Sequence, residues 1–315
     1  MLRYAIRRVL EAFVTLGIGS VVAFTAFKLL PGDIAAVIAG RNASEASVEA
    51  IRHDLGLDRT LPQQYLDWLG RIIHGDLGVS LLSNVPVSEL FEQRVPVTLE
   101  LIATSTILSV VIALLLSLGA LRPGSLLDRF AVGWSILWLA VPIFWLGLLL
   151  GLVCGVVFDW LPTSGFVSFV DSPREALRFS LLPSITLGFY MSAILAQFLR
   201  GSLLTTMRED YIRTAAAKGL APHQVVLGHA AKPALLPFVT VLCVLVGTAV
   251  GGTILVEAVF NYPGFGRLLT DSILKRDYYV VQNGIMLVLV AVIVVNLIVD
   301  LVYGLLDPQI RLGGS

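Results

Sequence analysis

The sequence predicts an all-α polytopic membrane protein: six transmembrane helices, a helical extracytoplasmic segment after the first, and a cytoplasmic helical segment between the fourth and fifth. Three observations lead there. Of the 315 residues, 57% are hydrophobic and 14% charged, with a mean hydropathy of +0.86. Soluble domains carry about 25% charged residues, so a chain this apolar needs lipid as its solvent. Six apolar runs, near 9–30, 98–121, 131–158, 180–199, 236–258 and 280–303, reach the roughly 20 residues that cross a hydrocarbon core of about 30 Å. None shows the alternation of a barrel strand. The basic residues fall mainly on one side. With the amino terminus inside, the inner segments hold Arg3, Arg7, Arg8, Arg122, Arg129, Arg200, Arg208, Arg213, Lys218, Lys232 and Arg311, whereas the two short outer loops hold Arg174, Arg178, Arg267, Lys275 and Arg276. Lys/Arg bias in short loops orients membrane proteins, so both termini and residues 200–237 are expected in the cytoplasm.

The first run follows Arg3, Arg7 and Arg8, as a signal peptide would, but Pro31-Gly32-Asp33 follows it in place of a small-x-small site, so it reads as an uncleaved helix. Lys28 near its end is expected to snorkel to the headgroups. Residues 31–97 are too long and too patterned for a bare linker. Ser44 can cap a helix over 44–55 with Val48, Ile51 and Leu55 on one face and Gly56 as its stop; a second starts near Pro62 with Leu66, Leu69 and Ile73 on one side; 75–80 reads as a turn. The third run is long enough to tilt or to break near Pro142. Cys154 and Cys243 lie inside apolar runs and read as packed thiols. Gly247 and Gly251 form a GxxxG on the side of the fifth run that also carries Gly252, and this permits close helix contact within the chain or with a partner. Glu257 is either a carboxylate holding a loop or a contact for translocated solute. In the last run Asn296 and Asp300 are four apart on one face. They are gate candidates by the membrane rule, or they fix helix packing.

Residues 200–237, RGSLLTTMREDYIRTAAAKGLAPHQVVLGHAAKPALLP, form a polar interlude between two apolar runs. Two short helices hinged at Gly219 are expected. The first covers Tyr211 to Lys218, with Asp210 as its cap and alanines at Ala215, Ala216 and Ala217. The second starts at Pro222, suited to a first helical turn, and runs towards Lys232. Small side chains permit close approach of another backbone, so the bend suits docking into a protein groove.

These residues resemble the EAA loop of ABC importer permeases, in the form DYxRTAxAKG followed by H-A and LLP that is typical of the dipeptide/oligopeptide subfamily, which also includes nickel and glutathione permeases. Asp210, Tyr211, Arg213, Thr214, Ala215, Ala217, Lys218, Gly219, His229, Ala230 and Leu235 to Pro237 fit that pattern. The general Glu-Ala-Ala consensus is met only in part, by Arg213, Thr214 and Ala215. Further resemblances occur in family order: PGD at 31–33, GDLGVS at 75–80, RVPVTLEL at 94–101, EAVF at 257–260, PGFG at 263–266, RDY at 276–278, and the closing Asp307, Pro308 and Arg311. The resemblance implies the first-permease (B-type) subunit of an importer in the bacterial cytoplasmic (inner) membrane. It would form half of the pathway beside a second, homologous permease, with two cytoplasmic ATPase subunits and an extracytoplasmic binding protein. Asp210, Tyr211 and residues 213–220, from Arg213 through Ala216 to Leu220, would couple to the ATPase, and 31–97 is then either a lid or a landing surface for the binding protein.

No GxxxxGK[ST] occurs, so ATP and Mg are expected on the partner subunits and no cofactor on this chain. No HExxH or GxSxG is present, and the four histidines form no ligand set, so a non-catalytic subunit is expected. No basic patch interleaved with aromatics suggests nucleic acid. An ion-coupled secondary transporter is the alternative. It calls for mid-membrane ionisable groups and inverted repeats, and the run centres are nearly free of charge. An intramembrane protease would need a nucleophile–base pair that the sequence does not offer.

Overall fold

The structure is a computed structural model that describes residues 2–28, 34–40, 43–54 and 56–306. The expectations for Leu55, Asp307, Pro308 and Arg311 fall outside these residues, as do those for the side chains of Lys28 and Asp300. The described chain is helical apart from turns and one isolated bridge between Val79 and Pro86. It divides into two units, one built from 97–266 and the chain from 295 onward, the other from 2–96 and 267–294.

Among the described residues, five helices are long and apolar enough to cross a membrane, and a bent pair makes a sixth if it counts as one span. They are α1 (Leu2–Lys28), α5 (Val87–Gly119), α8 (Pro173–Thr206), α11 (Ala231–Val259) and α13 (Tyr278–Leu306), with α6 (Leu126–Ala140) and α7 (Ile143–Leu150) as the pair. Short helices complete the set: α2 (Ile34–Ala39), α3 (Glu45–Asp54), α4 (Leu61–Ile73), α9 (Asp210–Ala217), α10 (Pro222–Val225) and α12 (Phe265–Lys275). The chain is thus an all-α polytopic membrane protein.

The first unit is organised around α8. Two thirds (67%) of its apolar window is buried, against 17–33% for the other long helices, so α8 is the packed centre and the others leave more of their apolar surface exposed. It lies against α6, α7 and α11. Leu182, Leu187, Met191, Leu195, Leu199 and Leu203 supply its core positions. Lipid is as apolar as leucine, so small and hydroxyl side chains must supply cohesion between helices. Ser117 and Ser135 donate to the carbonyls of Ala196 and Ala193 at 3.2 and 3.0 Å. Trp134 Nε1 donates to Ser192 Oγ at 3.1 Å, and Thr104 shares a 2.7 Å bond with Ser184. Gly247 fits the close-contact role within the chain, because a Cβ there would lie 2.9 Å from Val295 Cγ1, whereas Gly251 faces open space.

The break in the third run falls at Val141 and Pro142, where α6 and the Ile143–Val157 segment meet at 100°. Proline removes an N–H and fixes φ, and its ring disfavours helical backbone at the preceding residue. Alone, α6 is about 22 Å long, short of the roughly 30 Å hydrocarbon core. Residues Gly151–Val157 continue α7 as a π-helical stretch. Cys154 and Cys243 are free thiols.

In the second unit Phe24, Trp68 and Met286 form a core with Tyr65, Ile72 and Leu289 around it. Ser44 caps α3 as expected, its Oγ accepting from Ser47 N at 3.2 Å, and Gly56 follows with φ 65°. The inward face of α4 is not the expected one. Trp68 is buried beside Tyr65 and Ile72, whereas Leu66 and Ile73 are 63% and 74% exposed. An aromatic pair outcompetes the leucines because it buries more area and carries a polar handle. Trp68 Nε1 donates to Asn283 Oδ1 at 3.2 Å, and Tyr65 OH bonds Ser20 Oγ at 2.8 Å.

Asp277 explains the Arg-Asp-Tyr sequence. It is 2% exposed, receives Ser80 Oγ at 2.5 Å and Leu81 N at 3.3 Å, and so ties the 80–86 turn to the start of α13. Asp277→Ala leaves Ser80 and the Leu81 N–H without this acceptor, at a cost of about 1–3 kcal/mol. A thermal scan of the detergent-purified variant should show a midpoint several degrees below wild type. An unchanged midpoint would show that the turn holds without it.

Candidate functional site

The 200–237 segment folds as bend and helix, with boundaries that differ from expectation. Its amino-terminal part continues α8 to Thr206. Helix α9 starts at Asp210 with Glu209 as N-cap, and no side chain closes that cap. Asp210 instead lies 3.3 Å from Arg213 Nη1, an exposed pair of little energetic weight. The three alanines do not share a face. Ile212 and Ala215 are buried, and Ile212 packs with Val225, Ala230 and Met207. Tyr211, Arg213, Thr214, Ala216, Ala217 and Lys218 point outward. Successive helical residues are about 100° apart, so one alanine anchors while two are presented.

Gly219 makes the bend. Lys218 caps α9, its N–H bonded to Thr214 O at 3.1 Å, and Gly219 N–H reaches Ala216 O at 3.0 Å. Gly219 then adopts φ 82°, the left-handed stop that glycine tolerates at a helix end. Leu220 follows, 36% exposed, and Ala221 N–H is held by Gln224 Oε1 at 3.1 Å. The second helix starts at Pro222 as expected and continues past Lys232: α10 passes through a π-helical stretch, Val226–Ala230, straight into α11. The bend therefore joins a short helix to the root of a membrane span.

Glu257 lies in the last turns of α11 and is fully buried, at 0% exposure. Thr98, on α5, donates its hydroxyl to Glu257 Oε1 at 2.6 Å and accepts Phe265 N–H at 2.8 Å. The Pro263-Gly264-Phe265-Gly266 turn closes over the carboxylate: a Cβ on Gly264 would sit 2.3–2.5 Å from its three carboxyl atoms, and one on Gly266 2.8 Å from Ile254 Cγ1. The glycines are therefore there for close approach, and the carboxylate stands where α12 begins, the positive end of its dipole. Tyr262 inside the same turn is 1% exposed and packs edge-on to Phe166 at 5.3 Å. Burial, with Glu100 and Glu257 adding, pushes its hydroxyl well above the ordinary tyrosine range, so it stays protonated.

Asn296 is exposed on α13. Sequence reasoning missed two partners in the first unit. Thr98 lies in the RVPVTLEL stretch quoted for the resemblance, but no role was read for it. Asp128 was overlooked although it binds Arg200 Nε at 2.6 Å and Gly124 N–H at 2.8 Å. Its only local signal was the Ser125-x-x-Asp128 cap, in which Asp128 N–H bonds Ser125 Oγ at 3.2 Å. Among the described residues no group of three His, Cys, Asp or Glu is placed to hold a metal ion.

Comparison with known proteins gives the same family over the whole chain. The family described as binding-protein-dependent transport system inner membrane component matches residues 105–312, and its N-terminal companion matches 1–102. A probable peptide ABC transporter permease protein of Sinorhizobium fredii is 38% identical, over 98% of this chain and 99% of its own. The dipeptide transport system permease protein DppB of Escherichia coli is 37% identical over 99% of both. The glutathione transport system permease protein GsiC of Pectobacterium atrosepticum is 40% identical over 99% of both. A crystal structure of an amino acid ABC transporter with histidines superposes with a TM-score of 0.53 at 13% identity, over 69% of this chain and 94% of that one, a likeness of fold alone. With its two matched regions and these full-length relatives, the chain belongs to the binding-protein-dependent transport system inner membrane component family.

Proposed function

We propose that this permease subunit of a peptide-family ABC importer forms half of a pathway for di- and oligopeptides and receives its drive through residues 210–220. The observation that carries the reading is the Gly219 bend. It holds a short helix, with Ala216 and Ala217 outward, against α10, which runs unbroken into α11. A rigid lever of this kind transmits force better than coil. In this reading the chain crosses the membrane six times with α6 and α7 as one broken span, both termini are cytoplasmic, and 200–237 faces the cytoplasm, as the Lys/Arg distribution supports. ATP and Mg sit on two partner ATPases, a homologous permease completes the path, and a binding protein delivers solute. Peptides are the favoured cargo because named relatives carry peptide, dipeptide and glutathione descriptions, and glutathione is itself a tripeptide.

The test is co-purification with the partner subunits, reconstitution in vesicles, and ATPase and uptake measurements across loaded binding proteins. Peptides are expected to stimulate hydrolysis and accumulate. Uptake by this chain alone, or stimulation by no peptide, would overturn the assignment.

A further inference from the structure

A cavity lies within the second unit. Its volume is about 350 Å³, and residues of α4, Asp54, the 56–59 turn, Leu81, Tyr278 and Tyr279 line it. Its frame is fixed. Gln64 Nε2 donates to Leu57 O at 3.1 Å and to Arg59 O at 2.8 Å, and Arg59 Nη1 is held by Asp67 Oδ2 at 2.7 Å. Trp68 is pinned by its bond to Asn283. Gly78 lets the Tyr279 ring lie against the turn, since a Cβ there would fall 2.9 Å from Tyr279 Cδ1.

Arg71 stands out within this frame. Its guanidinium lies 5.6 Å from the centre of the Tyr279 ring, and among the described residues it meets no carboxylate. Arg59 beside it is already neutralised by Asp67. A guanidinium held over a ring and not engaged by a carboxylate can present its N–H fork to a carboxylate bidentately. The cavity falls in the size range of small-molecule sites, and Trp68, Tyr278, Leu57 and Leu81 supply apolar wall beside the cation. Asp54, on the same lining, offers negative charge for an ammonium group.

We infer that this cavity binds a short peptide through its terminal carboxylate, received by Arg71 with a side chain against the aromatic wall. The inference rests on the peptide reading above and adds to it a solute site on the permease itself. The volume exceeds what one acidic side chain of a docked protein needs, and the paired signs of charge match a zwitterion.

The experiment uses the chain with its partner subunits in lipid nanodiscs, without binding protein, and radiolabelled phenylalanyl-alanine with its C-terminal amide as probes. The acid should bind about 10- to 100-fold more tightly than the amide, the worth of a hydrogen-bonded charge. Arg71→Gln should erase that difference and Arg71→Lys should restore part of it, with thermal midpoints unchanged. Equal binding of acid and amide, or full discrimination by Arg71→Gln, would overturn the site. So would a loss confined to binding-protein affinity, which would make Arg71 a docking contact. If Arg71→Gln leaves both binding and peptide uptake intact, only this inference fails. If the wild-type assembly moves no peptide, the functional reading itself fails.

Discussion

Gly264→Ala should be among the most damaging single-methyl changes in this chain. Its Cβ would stand 2.3 Å from Glu257 Cδ and 2.4 and 2.5 Å from the two carboxylate oxygens, inside any van der Waals contact. The carboxylate cannot simply swing away, because Glu257 is fully buried and its bond to Thr98 is 2.6 Å long. Overpacking costs about 1–3 kcal/mol, and loss of a buried hydrogen bond to a charge adds about 1.5–3 kcal/mol. A total of roughly 2.5–6 kcal/mol is a large share of the usual folding margin of about 5–15 kcal/mol. The variant should reach the membrane in reduced amount and run as aggregate after solubilisation. Gly251→Ala, into open space, should behave as wild type. A double-mutant cycle isolates the cause: once Glu257→Ala has removed the carboxylate, Gly264→Ala should cost little more. Additive losses would mean that the clash is not with Glu257.

The spans were legible because a membrane helix announces itself by composition over about 20 residues, with little help from neighbours. Their ends were not. Helix α5 starts at Val87 rather than near 98, with Pro96 inside it, and α8 runs from Pro173 to Thr206 with Pro183 inside. Proline reads as a boundary in sequence, but in packed membrane helices neighbouring groups satisfy the carbonyl it frees. Helix α12 went unseen because its Pro-Gly-Phe-Gly start reads as a turn, and a helix of 11 residues is marginal without packing. Leu269 and Ser272 on it are buried, so tertiary contacts decide its fold. In the candidate site Gly219 was readable, as a glycine after an alanine-rich helix is the usual stop. The Glu257 anchor was half readable. The carboxylate and the glycines lie close in sequence, but Thr98 lies 159 positions away, and no local pattern links a hydroxyl in one apolar run to an acid in another.

Gly219→Pro should separate hydrolysis from uptake. The position holds φ 82°, whereas proline is fixed near −65°, so the chain cannot keep both the ring and the bend. No heavy atom lies within 4 Å of a Cβ placed there, so the damage is confined to backbone direction, not to core packing. Gly219→Ala, which strains the same φ without forbidding it, should then show a milder form of the same defect. To swing a two-state pathway from 1:99 to 99:1 the closed ATPase must favour one state by about 5.5 kcal/mol. A lever that wastes about 1.4–3 kcal/mol of that should lower uptake roughly 10- to 100-fold, with ATPase activity in the reconstituted importer kept or raised. Ala216→Trp attacks the other side of the joint. Ala216 is exposed and lines an apolar cavity with Leu121, Ile212 and Leu220, so the indole fills that cavity and alters the surface that α9 offers to a groove. Its expected result is the same loss of uptake together with weaker retention of the ATPase during purification, which Gly219→Pro need not show. Uptake at wild-type level in both variants would remove residues 210–220 from the coupling path.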